Sequence, residues 1–325
     1  MATSADRLSE LISTTLDNYV SSTLEDNIFD ALPLFFWMND RGAGVKQHQD
    51  GGNNIIVPLM YAQNSTAQSY SGYDLLDVTP QTGFGNATYA WKQYAVSITI
   101  DRLSERKNSG KSQVINLLKS KIMQSEMSLK DLFSRHLFAA AAGNNITGLP
   151  DIVDPSPSTG TVGGIDASTE TWWRNYQRSG AQSAAAFDSL LEDMRITYNT
   201  CSKGSSKDHP DLYLTDQTVY EGFEGLMTVD INYNVALIDT KLAEVGFENY
   251  KFKGARLMWD GDCTASAMYV LNSKYLKLYV DTQTDFISTP FLRPANQDAK
   301  TAQILWMGQL TTSNRSKHGV ITAIT

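Results

Sequence analysis

Residues 89–143, YAWKQYAVSITIDRLSERKNSGKSQVINLLKSKIMQSEMSLKDLFSRHLFAAAAG, change their apolar period from two to between three and four within a few positions. Tyr94, Val96, Ile98 and Ile100 alternate with Ala95, Ser97 and Thr99, which predicts a strand with one face inward. Tyr89 and Trp91 occupy the opposite phase, which predicts a bulge near Lys92-Gln93. Beyond Asn108-Ser109-Gly110, residues Val114, Leu117, Leu118, Ile122, Leu129, Leu132, Phe133, Leu137 and Ala140 lie on one stripe. That spacing predicts a helix over 109–143, stopped at Ala141-Ala142-Gly143-Asn144. About 32 residues would make a rod of roughly 48 Å. Its basic first turn opposes the helix dipole and calls for an acidic partner.

Upstream, Asn54-Ile55-Ile56-Val57-Pro58-Leu59-Met60-Tyr61 is a short apolar run in which Pro58 favours a sheet edge. Between it and the strand at 94–100 lie Gly72, Pro80, Gly83 and Gly85 among tyrosines and small polar residues. The pattern predicts a long two-stranded excursion with a turn-rich tip. Such a hairpin is marginal in water without a surface to lie on, so it is expected to need a neighbour. Further upstream, Leu8, Leu11, Ile12, Leu16, Tyr19, Val20, Leu24 and Ile28 recur at helical steps, with a capping box at Thr3 and Asp6. Pro33 is expected to end that helix, and Leu34-Phe35-Phe36-Trp37-Met38 follow as five large apolar residues in a row. Downstream of 143, a Gly/Pro/Ser/Thr-rich passage leads to Trp172-Trp173-Arg174. Helices are then expected at 184–198 and 216–227, a strand at 212–214, and two closing strands at 302–311 and 319–324. The class is α+β, without internal repeats.

The bulk properties fit a globular chain: 325 residues, 42% hydrophobic and 19% charged. No apolar run approaches the roughly 18 residues of a membrane span, and the first ten residues lack the layout of a signal peptide. These features imply a protein made in a cytoplasm, not in a membrane. Cys201 and Cys263 stand far apart without metal-ligand spacing, as expected of two buried thiols in a reducing compartment. The net charge of −8 should repel nucleic acid as a whole. Its distribution is uneven. Residues 1–40 carry seven acids against Arg7, and residues 101–121 carry six cations against two acids. An acidic arm and a basic stretch could therefore pair, within one chain or between two.

Catalytic chemistry finds little support. Gly110-Lys111-Ser112 follows a strand and opens a helix, as a phosphate-binding loop would, but the required glycine five positions earlier is Glu105. Gly160-Thr161-Val162-Gly163-Gly164 lacks the dinucleotide fingerprint and reads as a turn. Asp260-Gly261-Asp262 reads as a solvated turn. The four histidines are scattered, and no nucleophile elbow is present. No catalytic, metal or cofactor residue is assigned. The tyrosines and tryptophans concentrated between Tyr61 and Tyr94 come with almost no positive charge. They suit protein contact better than base stacking.

The order of these parts, an N-terminal arm, a long two-stranded loop, a long helix and a mixed body, resembles the major capsid proteins of tailed bacteriophages, the HK97-type fold. Three stretches are similar to one branch of that family: Tyr70-Ser71-Gly72-Tyr73-Asp74-Leu75-Leu76-Asp77-Val78, Tyr89-Ala90-Trp91-Lys92-Gln93-Tyr94-Ala95-Val96, and Gly160 to Asp166 leading to Trp172-Trp173-Arg174-Asn175. The resemblance implies an N-terminal arm over 1–45 and an extended loop over 46–100. It implies a peripheral domain over 101–180 and 286–325 with its spine helix at 109–143, and an axial domain over 181–285. It also implies hexamers and pentamers of an icosahedral shell around double-stranded DNA, which is enclosed without sequence-specific binding. The partners it implies are further copies, a scaffolding protein, a portal and a decoration protein, with assembly in the host cytoplasm. Intersubunit contacts are expected at Leu16, Tyr19, Leu24, Phe35, Phe36, Trp37, Tyr70, Tyr73, Leu75, Leu76, Phe84, Arg106 and Lys111. No lysine lies between Gln47 and Trp91, which counts against the lysine cross-link of some relatives. The arm begins near Met1, which favours a separate scaffold. An encapsulin-like cage and a P-loop enzyme stand as the alternatives.

Overall fold

A computed structural model of the chain describes residues 32–40, 44–107, 117–180, 187, 189–204, 208–229, 250–294 and 297–324. The arm helix expected before Pro33, Lys111 with the Gly110-Lys111-Ser112 motif, and the contact candidates Leu16, Tyr19 and Leu24 lie outside the described residues. In chain order the elements are α1 (Pro33–Asn39), β1 (Lys46–Gln49), β2 (Asn54–Met60), β3 (Phe84–Ala90), β4 (Lys92–Asp101), α2 (Arg102–Lys107) and α3 (Leu117–Leu137). There follow α4 (Leu149–Ile152), β5 (Thr161–Val162), β6 (Ile165–Asp166), β7 (Tyr176–Ser179), α5 (Leu190–Ser202), β8 (Leu212–Thr215) and α6 (Gln217–Val229). The chain closes with β9 (Tyr250–Phe252), β10 (Ala255–Trp259), β11 (Met268–Leu271), β12 (Leu276–Asp281), β13 (Ile287–Ser288), β14 (Ala299–Thr312) and β15 (Gly319–Thr322). The class is mixed α/β.

Two units partition the chain. The first holds residues 1–29, 96–128 and 288–304. In it the inward residues Ile98 and Ile100 of β4 and Ala302 and Ile304 of β14 are buried. The Arg102 N–H donates to the Asp298 carbonyl at 3.1 Å, and Leu292 and Thr301 exchange backbone hydrogen bonds.

The second unit holds residues 30–95, 129–287 and 305–325. Its six-stranded sheet has the order β7-β15-β11-β8-β10-β9. Strand β8 is buried on both faces, and Tyr213, Leu257, Met268, Val270 and Ile321 pack with Leu190 and Met194 of α5 and Val219 and Phe223 of α6 in one core. A separate aromatic core gathers around Trp306, whose ring lies 4.6 Å from Phe133, 5.7 Å from Tyr94 and 6.2 Å from Phe286. The Tyr94 hydroxyl meets His136 Nδ1 at 2.9 Å and accepts from the Ile146 N–H at 3.0 Å. A hydroxyl buried in apolar surroundings is thereby supplied with partners.

Several boundaries move from their expected places. Pro33 begins a helix instead of ending one: it occupies the first turn of α1, where its missing N–H costs nothing. The helix predicted to reach residue 143 ends at Leu137. The Ala141 N–H donates to the Asp151 carboxylate at 2.8 Å, so a carboxylate ten residues away displaces the helical bond that the alanine run would favour. The phase shift expected at Lys92-Gln93 is a break at Trp91, between β3 and β4. Cys201 and Cys263 are buried free thiols.

Candidate assembly surface

The stretch from 46 to 100 does not leave the body as a single excursion. Strand β1 pairs in parallel with β12, and β4 pairs with β14, so both ends of the stretch are sheet strands. The hairpin proper is β2–β3, in antiparallel register from Asn54↔Ala90 to Met60↔Phe84. Alternation divides its faces. Ile55, Val57, Leu59, Ala87 and Tyr89 are buried, while Ile56, Met60 and Phe84 are exposed.

The buried face lies on its own chain. Strands β5 and β6 are joined by Gly163-Gly164, both at positive φ (62° and 78°), the two-residue hairpin turn that glycine serves best. The Gly163 carbonyl accepts from the Thr88 N–H at 2.9 Å. A Cβ on Gly163 would lie 2.8 Å from Ala87 Cβ and 3.0 Å from Tyr89 Cζ. The glycine is thus required both by the turn and by the stalk resting on it. Trp173, fully buried, donates from Nε1 to the Val162 carbonyl at 3.0 Å and holds this seat from below. Trp172 stacks on Tyr61 with ring centroids 5.2 Å apart. The Tyr89 hydroxyl donates to the Thr312 carbonyl at 3.0 Å, and burial pushes its pKa up to about 12. The expectation that the whole hairpin lacks cover in its own chain is corrected here: the stalk has a seat.

The tip, residues 61–83, contains no strand or helix. It is held by short-range polar bonds. The Thr66 N–H donates to Asn64 Oδ1, the Ser71 N–H to Asp74 Oδ2, and the Thr79 N–H and hydroxyl to Asp77 Oδ1. The last pair keeps the Asp77 carboxyl below its ordinary pKa. Ser65 Oγ also donates to Gln81 Oε1 across the loop at 2.9 Å. On this frame the apolar side chains point to solvent: Tyr73 fully, Leu75 at 95%, Val78 at 88%, with Tyr70 and Leu76 more than half exposed. Of the sixteen large apolar residues that are exposed among the described residues, nine fall between Ile56 and Phe84. Contiguous exposed apolar surface of this kind marks an interaction site.

The remaining expected contact residues divide. Phe35 and Trp37 are buried in their own chain. The Phe35 ring lies 5.8 Å from Phe133 and 6.0 Å from Phe286, so both residues contribute to the core of their own chain. Helical rotation turns Phe36 outward, at 53% exposure. Arg106 is exposed on α2. Ile56, Met60 and Val78 were not singled out from sequence. An apolar run without alternation at 55–60 was the available signal, since it implies apolar residues on both faces.

Asp260 is the other correction. Instead of lying in a solvated turn, it is 1% exposed, accepts from the Leu34 N–H at 3.3 Å and the Asp262 N–H at 3.1 Å, and is pushed by burial up to about 6. It ties the end of β10 to the start of α1. A groove of about 520 Å³ lined by Trp91, Tyr94, Trp306 and Met307 has Lys92 as its only charged lining residue, and that ammonium donates to the Gly143 carbonyl. The groove brings together no acid–base pair or nucleophile. No group of three or more His, Cys, Asp or Glu among the described residues could hold a metal ion. No described helix is long and apolar enough to cross a membrane.

No protein-family model matches the chain, and no curated protein matches it. Solved structures do. The capsid subunit of cyanophage A-1(L) is 19% identical, with a TM-score of 0.70 over 97% of this chain and 99% of that one. The holo-encapsulin complex of Synechococcus elongatus is 9% identical, with a TM-score of 0.63 over 100% of this chain and 96% of that one. The structure of Mycobacterium phage Adephagia is 13% identical, with a TM-score of 0.61 over 99% and 98%. Likeness over nearly the full length of both chains defines the class: this is the HK97-type fold of capsid and encapsulin shell subunits.

Proposed function

We propose that the chain is the major capsid protein of a tailed bacteriophage, a non-catalytic subunit that assembles into hexamers and pentamers of an icosahedral shell enclosing double-stranded DNA. The observation that carries this reading is the tip of the β2–β3 hairpin, a preformed apolar surface left uncovered among the described residues, on a fold that matches a cyanophage capsid structure over nearly the whole of both chains. Tyr70, Tyr73, Leu75, Leu76, Val78 and Phe84 would be covered by the adjacent copy. In this reading residues 1–45 are the arm, and the extended loop expected over 46–100 is the β2–β3 hairpin with its tip, flanked by the sheet strands β1 and β4. Residues 101–180 and 286–325 form the peripheral domain with its spine helix, and 181–285 the axial domain. The acidic arm would meet the basic stretch around Arg106 and Lys111, and a scaffolding protein, a portal and a decoration protein are the expected partners in the virion. Charge reversal at Arg106 and Lys111 that left assembly untouched would remove the arm pairing.

The likeness to encapsulin over the entire chain supports a second reading, a protein cage without DNA. Electron microscopy and sedimentation of the expressed full-length chain test both. Closed shells or capsomers are expected, and a solitary chain at every concentration would refute the proposal. Particles that protect DNA from nuclease favour the phage reading, whereas particles that co-purify with a stoichiometric cargo protein favour the cage.

A further inference from the structure

The six-stranded sheet of the second unit is polarised in charge. Strand register sets its two ends. Leu212 at the start of β8 lies opposite Arg256 near the start of β10 and Leu271 at the end of β11, and Gly319 at the start of β15 lies opposite Val270. The segments closing this end therefore include the β9–β10 turn, the β11–β12 turn and the helical turn before β15. The C-terminus of α5 joins them, because Lys203 Nζ donates to Ser316 Oγ at 2.7 Å. They carry Lys203, Lys253, Lys274, Lys317 and the buried Arg315 against Asp208 and Asp211. The turns at the opposite end carry Asp216, Asp260 and Asp262 and, among the described residues, no lysine or arginine.

The basic end is prepared from within. Lys253 Nζ donates to Asn199 Oδ1 at 2.9 Å and stands 5.1 Å over the Tyr198 ring. Lys274 pairs with Asp208 and stands 5.3 Å over the Tyr275 ring. Lys317, almost buried, donates to the Ser202 carbonyl at the C-terminus of α5. Burial and the charges of Lys203 and Lys274 lower its pKa, while Asp208 raises it, so these groups act on one another. Among the described residues, Lys203, Lys253 and Lys317 form no ion pair with a carboxylate. Lys203 and Lys253 also hold left-handed backbone, at φ 47° and 50°, each directly before a glycine that takes that conformation freely.

We propose that this end of the sheet binds the phosphate backbone of nucleic acid, through the exposed Lys203, Lys253 and Lys274 with Lys317 beneath them. A second copy is the less suited occupant. The acidic end it could offer contains the buried Asp260, already engaged by two N–H groups, whereas a phosphodiester chain presents a row of exposed anions. The surface also reconciles a chain of net charge −8 with contact to a polyanion, since lysine clusters act locally at physiological salt. The shell reading supplies the identity of the partner, but the binding itself can be measured on unassembled chain.

The test is fluorescence anisotropy of a labelled DNA duplex with the full-length chain across roughly 50–200 mM NaCl, where log affinity falls by about 0.9 per log salt for each phosphate contact. Replacing all three (Lys203→Gln, Lys253→Gln, Lys274→Gln) should lower that slope by about 2.7, and Lys274→Gln alone, in ordinary backbone, by about 0.9. Neutralising Arg102, Lys121 and Lys130 together should leave it unchanged. Absence of duplex binding by the parent chain, or a slope unmoved by the triple substitution, overturns the proposal. Loss of assembly in the triple variant with an unchanged slope overturns it in favour of a contact between copies. Inorganic phosphate that displaces the duplex far better than chloride at equal ionic strength would support the phosphate chemistry and name the free ion as its source. Shells with an unmoved slope sink this inference alone, whereas a lysine-dependent slope without shells sinks the shell reading alone.

Discussion

Replacing Leu75, Leu76 and Val78 by serine should abolish assembly at concentrations where the parent chain forms shells, and leave the unassembled chain as stable as before. Leu75 is 95% and Val78 88% exposed, while Leu76 keeps 55% of its surface in solvent. Fully burying such a side chain is worth about 1.5–3 kcal/mol, and Leu76 has about half of that still to gain. With incomplete cover by a neighbour, the triple substitution should weaken each docked tip by about 3–4 kcal/mol. Each 1.4 kcal/mol is tenfold in an equilibrium constant, so the pairwise contact weakens by roughly a hundredfold or more. Light scattering and sedimentation over a concentration series read this as a matching rise in the assembly threshold. Thermal melting of unassembled chain should move by no more than about 0.5 kcal/mol, as for surface changes without intramolecular contacts. Ile55→Ala is the counterpart: its side chain is buried under the stalk, so it should cost about 2–5 kcal/mol of stability. An unchanged threshold in the tip variant, or a melting temperature that falls along with it, would refute the division between stalk and tip.

Gly163→Ala should cost about 2–4 kcal/mol, from the left-handed backbone plus the contacts at 2.8 and 3.0 Å with Ala87 and Tyr89, and hydrogen exchange should locate the loss at the Thr88 N–H. Arg315, fully buried, donates to the carbonyls of Ile152 at 2.7 Å and Asp151 at 3.1 Å and to Asn175 Oδ1 at 3.2 Å; Arg315→Met leaves these acceptors without that donor and should lose about 2–4 kcal/mol in denaturant unfolding, and Arg315→Lys should not restore it, because a point ammonium cannot reproduce the planar fork. Asp260 and His318 should oppose each other in pH dependence. Burial raises folded Asp260 to about 6, so it holds its proton longer than the unfolded chain does and stability falls as pH rises from about 4 to 6. Buried His318, which accepts from the Asn272 N–H, is held down to about 3, so the unfolded chain takes the proton first and stability falls as pH drops below about 6.5. At pH 5 these amount to about 1 kcal/mol gained and about 2 kcal/mol lost relative to pH 8. His318→Gln should therefore tilt the profile by about 2 kcal/mol toward acid stability, and parallel profiles for the two proteins in chemical denaturation would discount the histidine's part.

The stalk was legible as a strand because its signals are local, an apolar run at 54–61 carrying Pro58 and followed by turn residues, but a run without alternation could not say that Ile55, Val57 and Leu59 form the inner face. The exposed tip was legible for a related reason, since tyrosines and leucines among turn residues have no period that would bury them. What escaped the sequence depended on distant partners. The alanine run after Leu137 has high helix propensity, and only the Asp151 carboxylate, reached through tertiary folding, takes its N–H away. The apolar block at 34–38 gave no hint that Pro33 would start a helix there, or that Phe35 and Trp37 would turn inward to meet Phe133 and Phe286 while Phe36 turned out. Asp260 looks like a turn residue until Leu34, 226 positions away, supplies the N–H that makes its burial tolerable. The stretch from Gly160 to Asn175 resembled a family motif without a stated reason. Its glycine pair, Trp172 and Trp173 form the seat of the stalk.

In the proposed shell, that seat would change what assembly has to accomplish. A hairpin waving freely in the unassembled chain would lose conformational freedom on docking, at a cost that grows with each ordered side chain. Here the stalk is fixed beforehand by Gly163, by the Tyr61–Trp172 stack and by the Tyr89 hydroxyl on Thr312. The tip is kept in shape by the bonds of Asn64, Asp74 and Asp77 to their neighbours. Most of the ordering is therefore complete before a second copy arrives, and the exposed side chains of Tyr73, Leu75 and Val78 can contribute their burial to association instead of to folding. Nor does any lysine in the tip compete for water or acidic partners, so contact there is governed by apolar area and by Asp74 and Asp77. Loosening the seat should then weaken assembly even when every tip residue is intact. Trp172→Ala, which removes the ring stacked on Tyr61, should raise the assembly threshold with less effect on global stability than loss of the fully buried Trp173, because Trp172 is only partly buried. A Trp172→Ala chain that assembles at the parent's concentration would mean that the tip orders itself on its neighbour, and that the seat serves only the fold.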